Sequence, residues 1–396
     1  MLGWEREMKA AVYLHKTKQN TVRRGHPWIF PKAITKTSGK LITGKLVDIF
    51  AAEGELLGVG VYNEHSLYRV RVLALQQESI DAKSLPSIII QRLKQALVIR
   101  KALNLPNEMT TAYRLFNSEA DGLSGLTVDR FNDVSVVASS AYWVEANKPV
   151  ITECIQELFP GEEVIWLSQE KPLAQDGWNH QGERVIEKTI QVLEAGVIYQ
   201  IDFSQAQKTG LFLDQRENHQ RIGAIAKGKR VLDLYSYTGG FALHAAKAGA
   251  SRITAVDSSA QAIAQAKENA RLNKLSIEFI EADARDYLAQ AGDYDLIILD
   301  PPKLVPSQRH LDRAKNYYRF LHREIFKAMK PGSLLMTCNC SSALTTQEFG
   351  ILVSSQAGAT GKQARLLGIF GPASCHPTLA AFPEGNYLTA ILLAVV

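Results

Sequence analysis

Asp233, Asp257, Asp283 and Asp300 each close a short apolar or β-like run, and the first is followed by the turn Tyr235-Ser236-Tyr237-Thr238-Gly239-Gly240. Carboxylates at successive strand ends can accept the hydroxyls and amines of a nucleoside-type ligand, and glycine lets the first turn approach it closely. The turn is not G-x-G-x-x-G, so the sequence lacks the pyrophosphate cradle of a dinucleotide site. Asp300 begins Asp300-Pro301-Pro302-Lys303, and the next apolar run ends in Thr337-Cys338-Asn339-Cys340-Ser341-Ser342. A thiol beside a nucleoside ligand supplies a nucleophile.

Taken together these positions fit S-adenosylmethionine (SAM). Asp257 would take the ribose hydroxyls, Asp283 the adenine amine and Asp233 the amino-acid end, each acid also having an ordinary use as a helix cap. The arrangement resembles that of class I SAM-dependent methyltransferases. Amine methylases of that class carry an aromatic residue after the two prolines, where this chain has Lys303. The thiol suggests a different acceptor. Carbon 5 of cytosine is a poor nucleophile until a thiolate adds at carbon 6, and a thiol of ordinary pKa needs a positive neighbour or a proton acceptor to react so. Lys303 is the candidate neighbour. The polar cluster Asn339 to Ser342 predicts that the strand ends near Cys338 and leaves Cys340 in the turn above the sheet. A metal is not expected, because Cys338-x-Cys340 with Cys375-His376 has the wrong spacing for a zinc ribbon. Gly122-Leu123-Ser124-Gly125 misses the hydrolase nucleophile elbow by one residue.

The elements that must position these groups form three units. Residues 195–396 show strand-helix repeats of a doubly wound α/β domain, with strands at 230–234, 252–257, 277–280, 294–300, 333–337 and 387–395. Residues 79–194 read as a central α+β domain with a connecting helix ending before Asn107 and a helix from Glu145 to Leu158. Residues 1–78 read as a small β module. Alternation at 68–73 puts Tyr68, Val70 and Val72 on one face and Arg69 and Arg71 on a cationic outer face.

With 396 residues, 46% hydrophobic and 21% charged, the composition is that of ordinary globular domains. No apolar run approaches the ~20 residues that span a bilayer, and the amino end lacks a secretory signal, so a cytoplasmic protein with no membrane partner is expected. Four cysteines in such a chain are expected to stay thiols. The first fifty residues hold ten Lys and Arg against three acids, a surplus of +7 that leaves −2 for the rest of a chain of net charge +5. Arg23 and Arg24 beside Trp28 and Phe30 suggest a polyanion bound by phosphate neutralisation and stacking, against the plainer role of a solvated surface. The loop from Gln308-Arg309-His310 to Lys315 could clamp phosphate or act as a solvated lid.

At motif level the chain resembles the bacterial 23S ribosomal RNA cytosine-C5 methyltransferases of the large subunit methyltransferase I type, over nearly its whole length. The matching segments are Arg23 to Phe30, Tyr113 to Leu123, Gln207 to Arg216, Tyr235 to Phe241, Asp300 to Lys303, Cys340-Ser341, His376-Pro377 and Pro383-Glu384-Gly385. The resemblance implies a Rossmann-like class I SAM methyltransferase domain preceded by a small β-barrel PUA-like domain and a central α+β domain. It implies SAM as cofactor, held by Asp233, Tyr235, Gly239, Asp257, Asp283 and Asp300. Catalysis would use Cys340 as nucleophile, Asp300 on the cytosine edge to support ring-nitrogen protonation, and Lys303. RNA contacts would fall to Arg23, Arg24, Trp28, Lys208 and Arg216. The partner would be 23S ribosomal RNA or a large-subunit assembly intermediate, and a homodimer is admitted. Methylation of another ring atom, such as guanine N7, and a non-catalytic RNA-binding assembly factor remain as alternatives. Cys338, two residues before the nucleophile, has no assigned role.

Overall fold

A computed structural model describes residues 10–179, 186–204, 209–304 and 311–396. The expected contact Lys208 and the loop residues Gln308, Arg309 and His310 lie outside the described residues.

The amino-terminal unit comprises β1 (Ala11–Leu14), α1 (Gln19–Arg23), β2 (Trp28–Ile29), β3 (Ile34–Ser38), β4 (Leu46–Phe50), β5 (Leu56–Tyr62) and β6 (Val70–Leu75). The strand order is β2-β6-β5-β4-β1-β3. Only a short turn, Pro31–Ala33, joins the two edge strands β2 and β3, so the sheet must curl to bring its ends together. Val12, Leu14, Ile29, Ile49 and Val70 fill its core.

The central unit begins with α2 (Leu85–Ala102), capped by the Ser84 side chain on the Ser87 N–H with Pro86 in the first turn. It continues with β7 (Ala112–Asn117), β8 (Leu126–Phe131), β9 (Val134–Ser139), α3 (Tyr142–Ala146), α4 (Lys148–Leu158), β10 (Glu163–Ser168) and α5 (Glu170–Gln175). The helix expected over Glu145 to Leu158 is two helices. Pro149 has no N–H for a continuing helical ladder and opens a new first turn instead. A hairpin, β11 (Thr189–Glu194) and β12 (Val197–Asp202), follows across residue 195 and packs beneath the last unit.

That unit contains α6 (Arg216–Ala226), β13 (Arg230–Leu234), α7 (Gly240–Lys247), β14 (Arg252–Asp257), α8 (Ala260–Leu272), β15 (Glu278–Glu281), β16 (Leu296–Leu299), α9 (Leu311–Ala328), β17 (Leu334–Cys340), α10 (Thr346–Ala359), β18 (Ala364–Phe370) and β19 (Leu388–Val395). The sheet order is β15-β14-β13-β16-β17-β19-β18, with β19 antiparallel to both neighbours and the first five strands parallel. The strand order reverses beside β13, so its end and that of β16 border the ligand crevice of such a sheet. β17 does not stop at Cys338 as expected. Cys340 still pairs with Leu388, because β19 alongside extends the ladder through the polar residues.

The three units are riveted by the segments that carry the family resemblance. Trp28 stacks on Tyr68 at 3.9 Å between ring centres and meets Phe382 edge-on at 4.5 Å. Its indole N–H donates to Ser124 and Glu119. Arg100 forms a fully buried fork with Asp121 and also donates to the Cys375 carbonyl, while Asn117 donates to the Pro377 carbonyl. The cationic outer face predicted for residues 68–73 is corrected at Arg71. It is buried, donates to Ser124 and pairs with Asp176, because that face of the strand docks on the central unit rather than on solvent.

Candidate active site

The sheet places the strand-end acids around one crevice. In the register, Asp233 lies opposite Ala255 of β14 and Ile298 of β16, between the strands that lead to Asp257 and Asp300. Beyond β13 the chain turns through three positive-φ residues, Tyr235 at 64°, Tyr237 at 48° and Gly239 at 88°. Two tyrosines in the left-handed region are costly for L residues, and such strain gathers where a loop must hold a ligand. The strained loop is pinned from both sides. Asp257 accepts the Tyr237 N–H at 2.8 Å and the Ser259 N–H at 2.9 Å, and the Ser236 N–H donates to the Val256 carbonyl.

Asp233 is fully buried. One carboxylate oxygen accepts the Ala242 N–H at the start of α7, and the other has no hydrogen-bond partner among the described residues. Burial pushes this carboxyl up to about 7, against the pull of the Ala242 N–H and nearby His219, with Asp300 and Asp257 adding to the rise. A buried, unfilled acceptor at the head of the glycine turn suits the ammonium of an amino acid. Asp283 caps the turn that follows β15, accepting the Arg285 N–H, and clasps the Arg285 guanidinium; this lowers its pKa. It therefore has the capping role in this structure, with about a third of its side chain open.

The catalytic candidates converge at the ends of β16 and β17. The Cys340 thiol lies 3.9 Å from one Asp300 oxygen, within reach of an S–H donor. The other Asp300 oxygen accepts from the Gln215 side-chain amide at 3.0 Å, and the Gln215 carbonyl oxygen accepts from Asn218 at 2.6 Å. Sequence reasoning missed Gln215. It stands inside the Gln207 to Arg216 segment, yet only tertiary structure shows the turn Leu213–Gln215 carrying it to Asp300. Cys338 shares the face of Cys340 and is fully buried; burial, then Asp300, raises its pKa well above the ordinary value and keeps it a thiol. Between them Asn339 points the other way, accepts from the Tyr318 hydroxyl and donates to the Ser341 and Leu344 carbonyls, fixing the turn after Cys340.

Lys303, expected as the positive neighbour of the thiol, makes no hydrogen bond or ion pair with another described residue. It lines a cavity of about 650 Å3 with Tyr235, Arg313, Tyr317 and Phe320. The candidate RNA contacts are dispersed. Arg23 is engaged by Glu53 and Glu55, Arg24 is exposed, and Trp28 is enclosed in the interdomain stack. Arg216 is buried against Glu217 and the Cys375 sulfur, because α6 turns it inward; it presents no free cation to a polyanion. No helix among the described residues is long and apolar enough to cross a membrane.

A crevice at the switch point of a mostly parallel sheet, with an unfilled buried carboxylate, a strained glycine turn and strand-end acids, defines a class I SAM-dependent methyltransferase fold with a small β domain ahead of it. Comparison with known proteins agrees. Residues 163–359 match the S-adenosylmethionine-dependent methyltransferase family and residues 12–75 a PUA-like domain. Ribosomal RNA large subunit methyltransferase I of Vibrio parahaemolyticus is 33% identical over 98% of this chain and 100% of its own length. The protein of the same name from Aeromonas hydrophila is also 33% identical, over 98% and 99%. Among solved structures, a SAM-dependent methyltransferase from Streptococcus mutans superposes with a TM-score of 0.79 at 21% identity, covering 97% of this chain and 99% of that one. A methyltransferase complexed with SAH gives 0.80 at 20% identity, with the same coverage. The chain belongs to the ribosomal RNA large subunit methyltransferase I family, and SAM is its cofactor.

Proposed function

We propose that this protein methylates carbon 5 of a cytosine in 23S ribosomal RNA, with Cys340 as the covalent nucleophile. The observation that carries this reading is the Cys340 thiol facing Asp300 at the end of the strand beside the SAM crevice. The relatives' printed name supports ribosomal RNA as the substrate class.

SAM, when bound, supplies the methyl group. Asp233 would hold its amino group, Asp257 the ribose hydroxyls and Asp283, whose side chain is about a third open, the adenine amine. Gly239 and Tyr235 would shape the turn around it. Asp300 takes the proton of the Cys340 thiol and delivers it to ring nitrogen 3 of the cytosine as sulfur adds at carbon 6. Carbon 5 becomes enamine-like and accepts the methyl group. Loss of the carbon 5 proton to a base and cleavage of the sulfur–carbon 6 bond, with return of the proton from nitrogen 3, restore the ring and the thiol. Gln215, by filling one Asp300 oxygen, turns the other toward Cys340. Lys303 and Arg313, beside the aromatic rings of the adjoining cavity, are placed for a phosphate and a base of the RNA around the target.

The test is incubation of full-length protein with tritiated SAM and ribosomal RNA lacking the modification, followed by nucleoside analysis. Label is expected in 5-methylcytosine. Cys340→Ala should lower transfer on the order of a thousandfold or more while SAM still binds. Label in another nucleoside, or undiminished transfer by the variant, defeats the covalent cytosine mechanism.

A further inference from the structure

Behind the glycine turn lies a cluster with no part in the reaction above. Glu194 ends β11, His219 lies on α6 and His244 on α7, and all three are buried. His219 Nδ1 is 2.7 Å from Glu194 Oε1, and His244 Nε2 is 3.2 Å from the same oxygen. One ligand atom from each lies within 4.8 Å of the others. His219 also backs onto the turn, since a Cβ at Gly240 would sit 2.4 Å from its Nε2.

Protons account for only part of this geometry. A hydrogen on His219 Nδ1 is satisfied by Glu194. His244 Nε2, for all its closeness to Oε1, is poorly aligned for a hydrogen bond to it, and the buried Tyr199 hydroxyl, which feels the Glu194 charge, has no hydrogen-bond partner among the described residues. Two ligands of one metal ion behave in this way. For His244 and Glu194 the lone pairs would aim at the ion and miss each other, with bonds of about 2.0–2.2 Å putting ligand atoms roughly 3–3.5 Å apart, while the hydrogen that His219 Nδ1 shares with Glu194 would be released as the ion binds.

We propose that Glu194, His219 and His244 form a buried binding site for a divalent transition ion of the zinc type. Two imidazoles and a carboxylate suit such an ion, whereas calcium and magnesium favour all-oxygen sets and copper(I) favours sulfur. The three ligands come from the hairpin and from the two helices flanking the SAM turn, so the ion would tie β11 to that turn. Its role is structural, because methyl transfer from SAM needs no metal.

The experiment uses the full chain without a metal-binding tag, its metal content measured by mass spectrometry and its cobalt(II) complex by visible and X-ray absorption. Because the site is buried, the protein is also refolded with zinc or cobalt present. The expected result is one equivalent of metal per chain, nitrogen and oxygen ligands including two imidazoles, and a melting temperature that rises with metal concentration. His244→Asn and His219→Asn should each weaken binding by more than the roughly 10–100-fold lost on removing a supporting group. No bound metal after refolding, sulfur ligands in the absorption spectrum, or unchanged affinity in both variants each overturns the site. The absorption spectrum of the unaltered protein decides the matter even if a variant fails to fold.

Discussion

The amino-terminal β unit and the strand ends of the large sheet were both marked by their sequence as places of polar recognition, and they turn out to differ in what their polar groups already hold. In the β unit, Arg23 is clasped by Glu53 and Glu55, Arg71 is buried on Asp176 and Ser124, and the Trp28 indole donates to the central unit. At the strand ends, Asp233 keeps a buried oxygen without a partner among the described residues, and Tyr235 and Tyr237 sit in strained backbone. Charge density alone therefore identifies a recognition surface poorly. A buried acceptor left unfilled is the stronger sign of a ligand, since isolation from water costs free energy unless something binds there.

The sharpest way to break this contrast is Trp28→Ala. If the residue is interdomain packing, the protein should lose about 3 kcal/mol of stability in denaturant titration, as for other large aromatic truncations. A change in RNA affinity with stability intact would return Trp28 to the role of stacking platform.

Asp233→Asn tests the other side. It retains an acceptor for the Ala242 N–H and removes the charge, so SAM affinity should fall by about 2 kcal/mol, or roughly thirtyfold, by calorimetry. The unliganded protein should meanwhile become more stable at neutral pH, because an unpaired buried carboxylate has been removed.

A smaller effect follows from the raised Asp233 pKa. An acid whose folded-state pKa lies above its unfolded value near 3.8 costs stability increasingly as pH rises through that window to about 7. The ionised form is the one that holds an ammonium, so SAM binding should tighten severalfold between about pH 6 and 7.5 and release a proton to buffer. Equal heats in buffers of different ionisation enthalpy would refute this linkage.

The smallest difference is between two neighbouring arginines. Arg24→Ala should shallow the salt dependence of RNA binding by about one unit of log–log slope, whereas Arg23→Ala, whose charge is already paired, should change it less. Equal slopes for the two variants would remove the distinction between paired and open cations.

Cys340 was legible in the sequence for a partly mistaken reason. The polar cluster after Cys338 suggested a strand end, yet the strand continues and the alternation of its side chains places both thiols on the Asp300 face. Burial separates them: Cys338 is sealed and Cys340 is partly open. Likewise Arg216 looked like a surface cation in a specific motif until α6 turned it inward against Glu217.

The sequence by itself determined the α/β repeats, the strand-end acids, the glycine turn and the family, because hydrophobic period and turn chemistry are local properties of the chain. Tertiary structure alone decided which polar groups stay unsatisfied. The Gln215 contact that orients Asp300, the burial of Arg71 and Arg216, the interdomain stack on Trp28 and the convergence of Glu194, His219 and His244 all join residues distant in sequence. Such pairings depend on how sheets and helices pack, and packing is settled by the whole chain rather than by any segment of it.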